Sequence, residues 1–213
     1  MTVHDELVSA PVTESELVYT GKVWDLRRET FELNGSDVVR EFVDHPGAVA
    51  VLALDEQDRV LLIKQYRHPV RSREWEIPAG LLDEHGEAPD AAARRELAEE
   101  ADYAASTWHT LAEFYTSPGG SNEAIRIYLA RGVTRLEEDF DRTDEEADIE
   151  VRWVPLDECV DAVLARQVQN PSLVTGVLAA YTARARGWST LAPADAPWPQ
   201  QPSMPEGQGT ASS

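Results

Sequence analysis

Gly80-Leu-Leu-Asp-Glu-His-Gly-Glu87-Ala-Pro89-Asp-Ala-Ala-Ala-Arg-Arg95-Glu96-Leu97-Ala-Glu99-Glu100-Ala-Asp102-Tyr103 runs from a glycine-led loop into a helix expected over about 89–101. Pro89 suits a first helical turn, where its missing N–H has no partner to lose. At 3.6 residues per turn, Glu96, Glu99 and Glu100 stand at i, i+3 and i+4, so they share one face while Leu97 points toward a core. With no Lys or Arg interleaved among them, the three carboxylates repel by a few tenths of a kcal/mol per pair. A hard, oxygen-seeking divalent cation would take up that charge. As a fragment, Arg-Glu-Leu-Ala-Glu-Glu also reads as a solvated helix face. The longer pattern Gly80, Glu87, Arg95, Glu96, Glu99 and Glu100, with an aliphatic at 97, is another matter, because six fixed positions at frequencies of about a tenth arise by chance on the order of once in a million starts.

This pattern resembles the signature of the Nudix hydrolases: Gly, five residues, Glu, seven residues, Arg-Glu, an aliphatic, any residue, Glu-Glu, any residue, Gly and an aliphatic. Six residues rather than five separate Gly80 from Glu87, Asp102 stands at the later glycine, and Tyr103 at the closing aliphatic position. Asp, like Gly and Asn, tolerates a left-handed exit from a helix, so neither departure removes a carboxylate. The resemblance implies an α/β class fold (α+β), the Nudix α/β/α sandwich around a mixed sheet. It also implies a Mg²⁺ or Mn²⁺ site at Glu96, Glu100 and the Ala79 carbonyl with Glu99 contributing, and a Glu87 that orients Arg95.

The chain of 213 residues suffices for one good core with a small appendage. Residues 1–15 are polar and acidic without periodicity and are expected to be flexible. Residues 16–45 are expected to form an amino-terminal β-sheet and dimerisation region, and 46–187 the catalytic domain. Residues 188–213 hold Pro193, Pro197, Pro199, Pro202 and Pro205 among Ala, Gln, Gly and Ser, and are expected to be disordered. Trp188 and Trp198 are the features of that tail that could dock. A net charge of −20, from 39 acidic against 19 basic residues, disfavours nucleic acid as a partner. A phosphate substrate must then meet positive charge supplied locally. Cys159, the single cysteine, sits in an amphipathic segment and reads as a packed helix residue. No apolar stretch approaches 18 residues and no leader pattern opens the chain, so a cytoplasmic protein with no membrane partner is expected.

Segments Glu16–Arg27, Glu29–Leu33 and Val38–Asp44 read as strands of the small sheet, with Asn34-Gly35-Ser36-Asp37 as a turn. Ala48–Leu54 and Val60–Tyr66 are nearly continuous apolar runs, expected as a central hairpin buried on both faces. Further strands are expected at Trp108–Phe114, Ala124–Ala130 and Ile149–Val154, and helices at Leu156–Arg166 and Leu173–Arg186.

Around the motif, Arg73-Glu-Trp75-Glu76-Ile-Pro78-Ala79-Gly80 redirects the chain sharply, and a glycine there lets backbone approach a ligand. A proline about fifteen residues past the signature resembles the ADP-ribose pyrophosphatase subgroup, and Pro118, in Ser117-Pro118-Gly119-Gly120, is so placed. The resemblance assigns Arg40, Arg67, Glu76, Pro118 and Gly119 to substrate. Arginine forks suit phosphate, and either arginine also reads as a surface ion-pair residue. Trp24 is a candidate platform for adenine and equally a core residue. In the resembling enzymes a loop at the position of the acidic run 137–150 supplies the general base, and Glu145 and Glu146 fit that role; a solvated charge run is the alternative. The implied function is metal-dependent hydrolysis of ADP-ribose, a nucleoside diphosphate, to AMP and ribose 5-phosphate by a homodimer. Rivals are another nucleoside diphosphate derivative, such as a nucleotide sugar or dinucleotide, and a non-catalytic ADP-ribose sensor.

Overall fold

The computed structural model describes residues 3–137, 140 and 149–202. Strands β1 (Val12–Thr20), β2 (Asp25–Leu33) and β3 (Ser36–Asp44) form an antiparallel sheet in that order. The strand expected over 16–27 is thus two strands, and the first begins at Val12, inside the segment expected to be flexible. Gly21–Trp24 makes the break. The Gly21 N–H donates to Asp25 Oδ1 at 3.2 Å, and the Trp24 carbonyl lies so close over Gly21 that a Cβ there would overlap it. The β2–β3 turn uses positive φ at Asn34 and Gly35, 54° and 77°, the signature of a tight type I′ hairpin.

The two apolar runs are not a hairpin pair. β4 (Ala48–Ala53) lies between β9 (Ala124–Arg135), to which it is parallel, and β7 (Ala79–Leu81), to which it is antiparallel. β5 (Arg59–Arg67) lies between β10 (Glu150–Pro155) and β6 (Ser72–Glu76) in a separate sheet. A single bridge, Leu54 to Val60, joins the runs. Asp55 turns the chain between them by accepting the N–H groups of Gln57 and Arg59 at 2.9 and 2.8 Å. Continuous burial therefore reported β4 and β5 as interior strands without revealing which edge each one shares.

The larger sheet has the order β11-β8-β9-β4-β7, with β8 at Tyr103–Tyr115 and β11 at Ala192–Pro193. β4 shows how it is sandwiched, since successive side chains of a strand alternate faces. Val49, Val51 and Ala53 pack with Ala92, Ala93, Leu97 and Ala101 of α1 (Pro89–Ala101). Ala48, Ala50, Leu52 and Leu54 pack with Leu156, Cys159 and Val160 of α2 (Leu156–Leu164) and Leu173, Val177 and Ala180 of α3 (Pro171–Ala185). At Gly176 of α3 a Cβ would already stand 3.3 Å from Ile77 and 3.4 Å from Leu52, which lets the helix seat close to the sheet. Cys159 is buried and unpaired, and burial pushes its thiol up to about 12. No helix among the described residues is long and apolar enough to cross a membrane.

The tail departs from expectation. Ala192 and Pro193 pair with Thr110 and His109, and Trp198 enters the α1 side of the core. The Trp188 ring covers the guanidinium of Arg131 at 3.8 Å. Proline content argued for disorder, but two tryptophans with cationic partners supply the burial that composition alone discounts. Residues 203–213 lie outside the described residues.

Candidate active site

Helix α1 and strand β7 build the site between them. β7 is held by register pairs Ala50 to Ala79, Val49 to Gly80 and Ala48 to Leu81, and it presents backbone to the carboxylates of α1. The Ala79 N–H donates to Glu100 Oε2 at 2.8 Å. Glu100 is only 4% exposed, so this carboxylate is fixed where water cannot easily solvate it. Next along, the carboxylate of Glu96 occupies the space a Cβ on Gly80 would take. Glycine at 80 is therefore a steric requirement of bringing Glu96 against the strand.

Arg95 organises the rest. Its Nε and Nη2 donate to the two oxygens of Glu87 at 3.1 and 2.9 Å, a bidentate pair that sets the guanidinium plane. Nη1 donates to Glu96 Oε1 at 2.6 Å and Glu99 Oε2 at 3.0 Å. The hydrogen bonds it donates to Glu87 raise the guanidinium pKa most, burial opposes them, and Glu96 and Glu99 raise it further. No basic residue is interleaved among the three glutamates, but Arg95, one residue before Glu96, reaches across to Glu99, and part of the like-charge cost is offset within the helix. Among the described residues no three His, Cys, Asp or Glu side chains already converge as a ligand set. The donor chemistry nonetheless fits a hard divalent cation, since Glu96, set against Gly80, and Glu100, held by the Ala79 N–H, both offer carboxylate oxygens. Ala79 takes part here through its N–H.

Arg67 and Glu76 face each other rather than open space. Arg67 Nε and Nη2 donate to the two Glu76 oxygens at 2.8 Å each, and Gln65, a residue the sequence reading did not single out, donates to the same carboxylate at 3.5 Å. Glu76 is 1% exposed, and the Arg67 side chain is partly open. A phosphate reaching Arg67 would meet a guanidinium whose orientation Glu76 already fixes.

A cleft of about 450 Å³ brings Arg40, Tyr115, Pro118 and Gly119 together. Arg40 is exposed and donates to the Val39 carbonyl at 2.7 Å. The β8–β9 loop is clasped to the end of β3: the Val43 N–H donates to Gly120 at 2.9 Å and the Asn122 N–H to Val43 at 3.2 Å. Asn122 is the hub that sequence reasoning passed over. Its Oδ1 accepts the His45 N–H and its Nδ2 donates to Asp44, both at 2.8 Å, and Asp44 in turn accepts from Arg27 at 3.0 Å. An amide able to donate and accept at the edge of a glycine-rich turn was the available signal. Trp24 lies in the β1–β2 turn, half exposed, and not within a strand. Glu145 and Glu146 lie outside the described residues.

A β-strand and a helix that meet through Gly80, Glu87, Arg95, Glu96 and Glu100, inside an α/β/α sandwich, are the Nudix arrangement. The chain belongs to the Nudix hydrolase family: a NUDIX domain model matches residues 44–173. It is similar to the ADP-ribose pyrophosphatase of Mycobacterium tuberculosis, 40% identical over 189 residues that cover 88% of this chain and 90% of the relative. The ADP-ribose pyrophosphatase of Bacillus subtilis is 43% identical over 156 residues, 73% of this chain and 83% of that one. The fold is shared with a crystal structure of an ADP compounds hydrolase, with a TM-score of 0.70 at 20% identity over 86% of this chain and 99% of the other.

Proposed function

We propose that this Nudix hydrolase uses water to split the diphosphate of ADP-ribose into AMP and ribose 5-phosphate, with Mg²⁺ or Mn²⁺ held by Glu96, Glu100 and the Ala79 carbonyl and with Glu99 contributing. The observation that carries the reading is the buried Glu100 carboxylate fixed by the Ala79 N–H beside Glu96 on Gly80. The two pyrophosphatase relatives support the choice of substrate. When bound, the cation would neutralise the diphosphate and lower the pKa of the attacking water. Arg67, steadied by Glu76, and Arg40, in the cleft with Pro118 and Gly119, would bind the anionic ends. Glu145 or Glu146 would take the proton from water as the phosphorus–oxygen bond forms, and the bridging oxygen leaves with one of the two phosphates. Trp24 would stack on adenine.

The assembly proposed is a homodimer through the amino-terminal sheet. β1 is exposed along its whole length, and Val12, Leu17, Tyr19, Leu33 and Val39 stand open on that sheet. A three-stranded sheet with exposed apolar side chains gains stability by packing on a second surface. The deciding experiment is product analysis with Mg²⁺ over ADP-ribose, nucleotide sugars and dinucleotides. AMP and ribose 5-phosphate from ADP-ribose are expected, with the other diphosphates cleaved much more slowly. Comparable cleavage of a nucleotide sugar would move the substrate assignment, and tight binding of ADP-ribose without turnover would replace the enzyme by a sensor.

A further inference from the structure

The tail that composition marks as loose instead crosses the back of the catalytic helix. Its first anchor is β11 on the edge of β8, where Thr110 Oγ1 also donates to the Pro193 carbonyl at 3.0 Å. The second is Arg126 of β9, 2% exposed. Its Nη1 and Nη2 donate to the Ala196 and Pro197 carbonyls at 2.8 and 3.1 Å, Nε holds Glu113 at 2.9 Å, and the guanidinium lies 4.8 Å from the centre of the Trp198 ring. The third is Pro202, whose ring carbon stands 3.1 Å from where a Cβ of Gly47 would be. Gly47 accepts the Leu82 N–H at 3.1 Å, one residue past β7.

These anchors fall on β8, β9 and Gly47, and they bring the tail beside α1 and the exit of β7, the two elements that hold the carboxylates. The core-facing side of α1 in its first turns is Ala92 and Ala93, which are too small to fill the space above the sheet. Trp198, 9% exposed, shares their cluster, and its ring borders a cleft with Ala88, Pro89 and Asp90 at the start of the helix. A buried indole supplies area that two alanines cannot, and supplies it with one fixed shape. At its far end the strap abuts Gly47, which is bonded to the exit of β7.

We propose that residues 191–202 are a positioning strap for the catalytic helix, with Trp198 and Arg126 as positioning residues that keep Glu96 and Glu100 seated against Gly80 and Ala79. The proposal rests on the metal-dependent reading above. Docking of the strap fixes α1 relative to β7, so cation affinity and turnover depend on side chains that touch neither cation nor substrate.

The test compares the full chain with Trp198→Ala, Trp198→Phe and Arg126→Lys. Mn²⁺ binding is measured without substrate, by the electron paramagnetic resonance of free Mn²⁺, and kcat and KM with ADP-ribose. Trp198→Ala is expected to weaken Mn²⁺ binding roughly tenfold, in the range seen when groups supporting a metal ligand are removed, and to lower kcat with KM little changed. Trp198→Phe should restore most of both, and Arg126→Lys, which cannot fork two carbonyls, should fall between. Should Trp198→Ala fail to fold by circular dichroism, Arg126→Lys carries the comparison. Wild-type Mn²⁺ affinity and kcat in folded Trp198→Ala, or in folded Arg126→Lys, overturn the proposal, as does a loss confined to KM. A full chain that binds Mn²⁺ and leaves ADP-ribose intact overturns the substrate reading instead, and the strap is then judged on Mn²⁺ binding; a full chain that binds no Mn²⁺ overturns both.

Discussion

The Phe140 N–H donates to Oδ1 of Asp102 at 2.9 Å, and this bond ties the chain entering the acidic segment to the end of α1. Asp102 holds the left-handed conformation that closes the helix, φ 61° and ψ 36°, and its backbone also accepts the Leu136 N–H at 2.8 Å. The family's glycine could adopt that conformation with less strain but has no side chain to offer Phe140. Left-handed backbone costs a non-glycine residue about 1 kcal/mol or somewhat more, whereas a hydrogen bond to a charged group contributes about 1.5–3 kcal/mol. Asp102→Gly is therefore expected to lower stability, by about 1 kcal/mol in urea unfolding, and Asp102→Asn, which keeps an acceptor and tolerates the turn, should lose less. A more stable glycine variant would show that strain outweighs the tether.

Burial ranks the helix glutamates. Glu100 is 4% exposed and fixed by Ala79, while the Glu99 side chain is 39% exposed. Glu100→Gln should reduce kcat/KM at limiting Mg²⁺ on the order of 100-fold or more, at or beyond the upper end for loss of a group that merely supports a ligand. Glu99→Gln should be milder. Activity should vanish in chelator and return with Mg²⁺ or Mn²⁺. The Tm of Glu100→Gln without metal should hold or rise slightly, because one like-charge pair is relieved by a few tenths of a kcal/mol. Unchanged kinetics for Glu100→Gln would remove it from the metal site.

How much of this was legible in sequence depended on whether the information was local. Helix α1 was readable to both ends, because its period, Pro89 and the left-handed tolerance of Asp102 are all contained in the segment itself. The site could be named for the same reason: Glu96, Glu99 and Glu100 are spaced along one helix. What failed was non-local. Two apolar runs joined by five polar residues look like a hairpin, and nothing in Ala48–Leu54 says that its parallel partner is β9, some 75 positions later. Likewise Trp198 is a core residue only because β9 offers Arg126 beside it.

His45 gives stability a pH dependence. The Gly47 N–H donates to His45 Nδ1 at 3.0 Å, so the neutral ring is the form the fold accommodates, and Nε2 lies 3.6 Å from Glu123. Burial pulls its pKa below the ordinary value, while Glu123 and Asp44 pull the other way without prevailing. A histidine with a lowered folded pKa binds fewer protons folded than unfolded, so its contribution is complete above the unfolded pKa near 6.5 and is lost as pH falls toward the folded value. Urea unfolding between pH 7.5 and about 5 should show that decline, and His45→Gln should flatten it. A wild type whose stability rises on acidification through this window would reverse the assignment.

The general base should come from the acidic run and not from α1, because carboxylates engaged with a cation, or with Arg95 as Glu96 and Glu99 are, are poor proton acceptors. Glu145 and Glu146 are the candidates the sequence offers. Each changed singly to Gln, one of them should lower kcat by roughly 10²-fold to 10⁴-fold, the usual contribution of a positioned base. KM should move little if that residue grips neither substrate nor metal. The pH profile should separate this from a loss of folding: the acidic limb of kcat should be lost from the damaging variant and retained in the neutral one. If both variants kept near-wild-type kcat, the base would have to be sought at Asp148 or Glu150, and then on the helix itself, where Arg95 would have to release a glutamate before it could accept a proton.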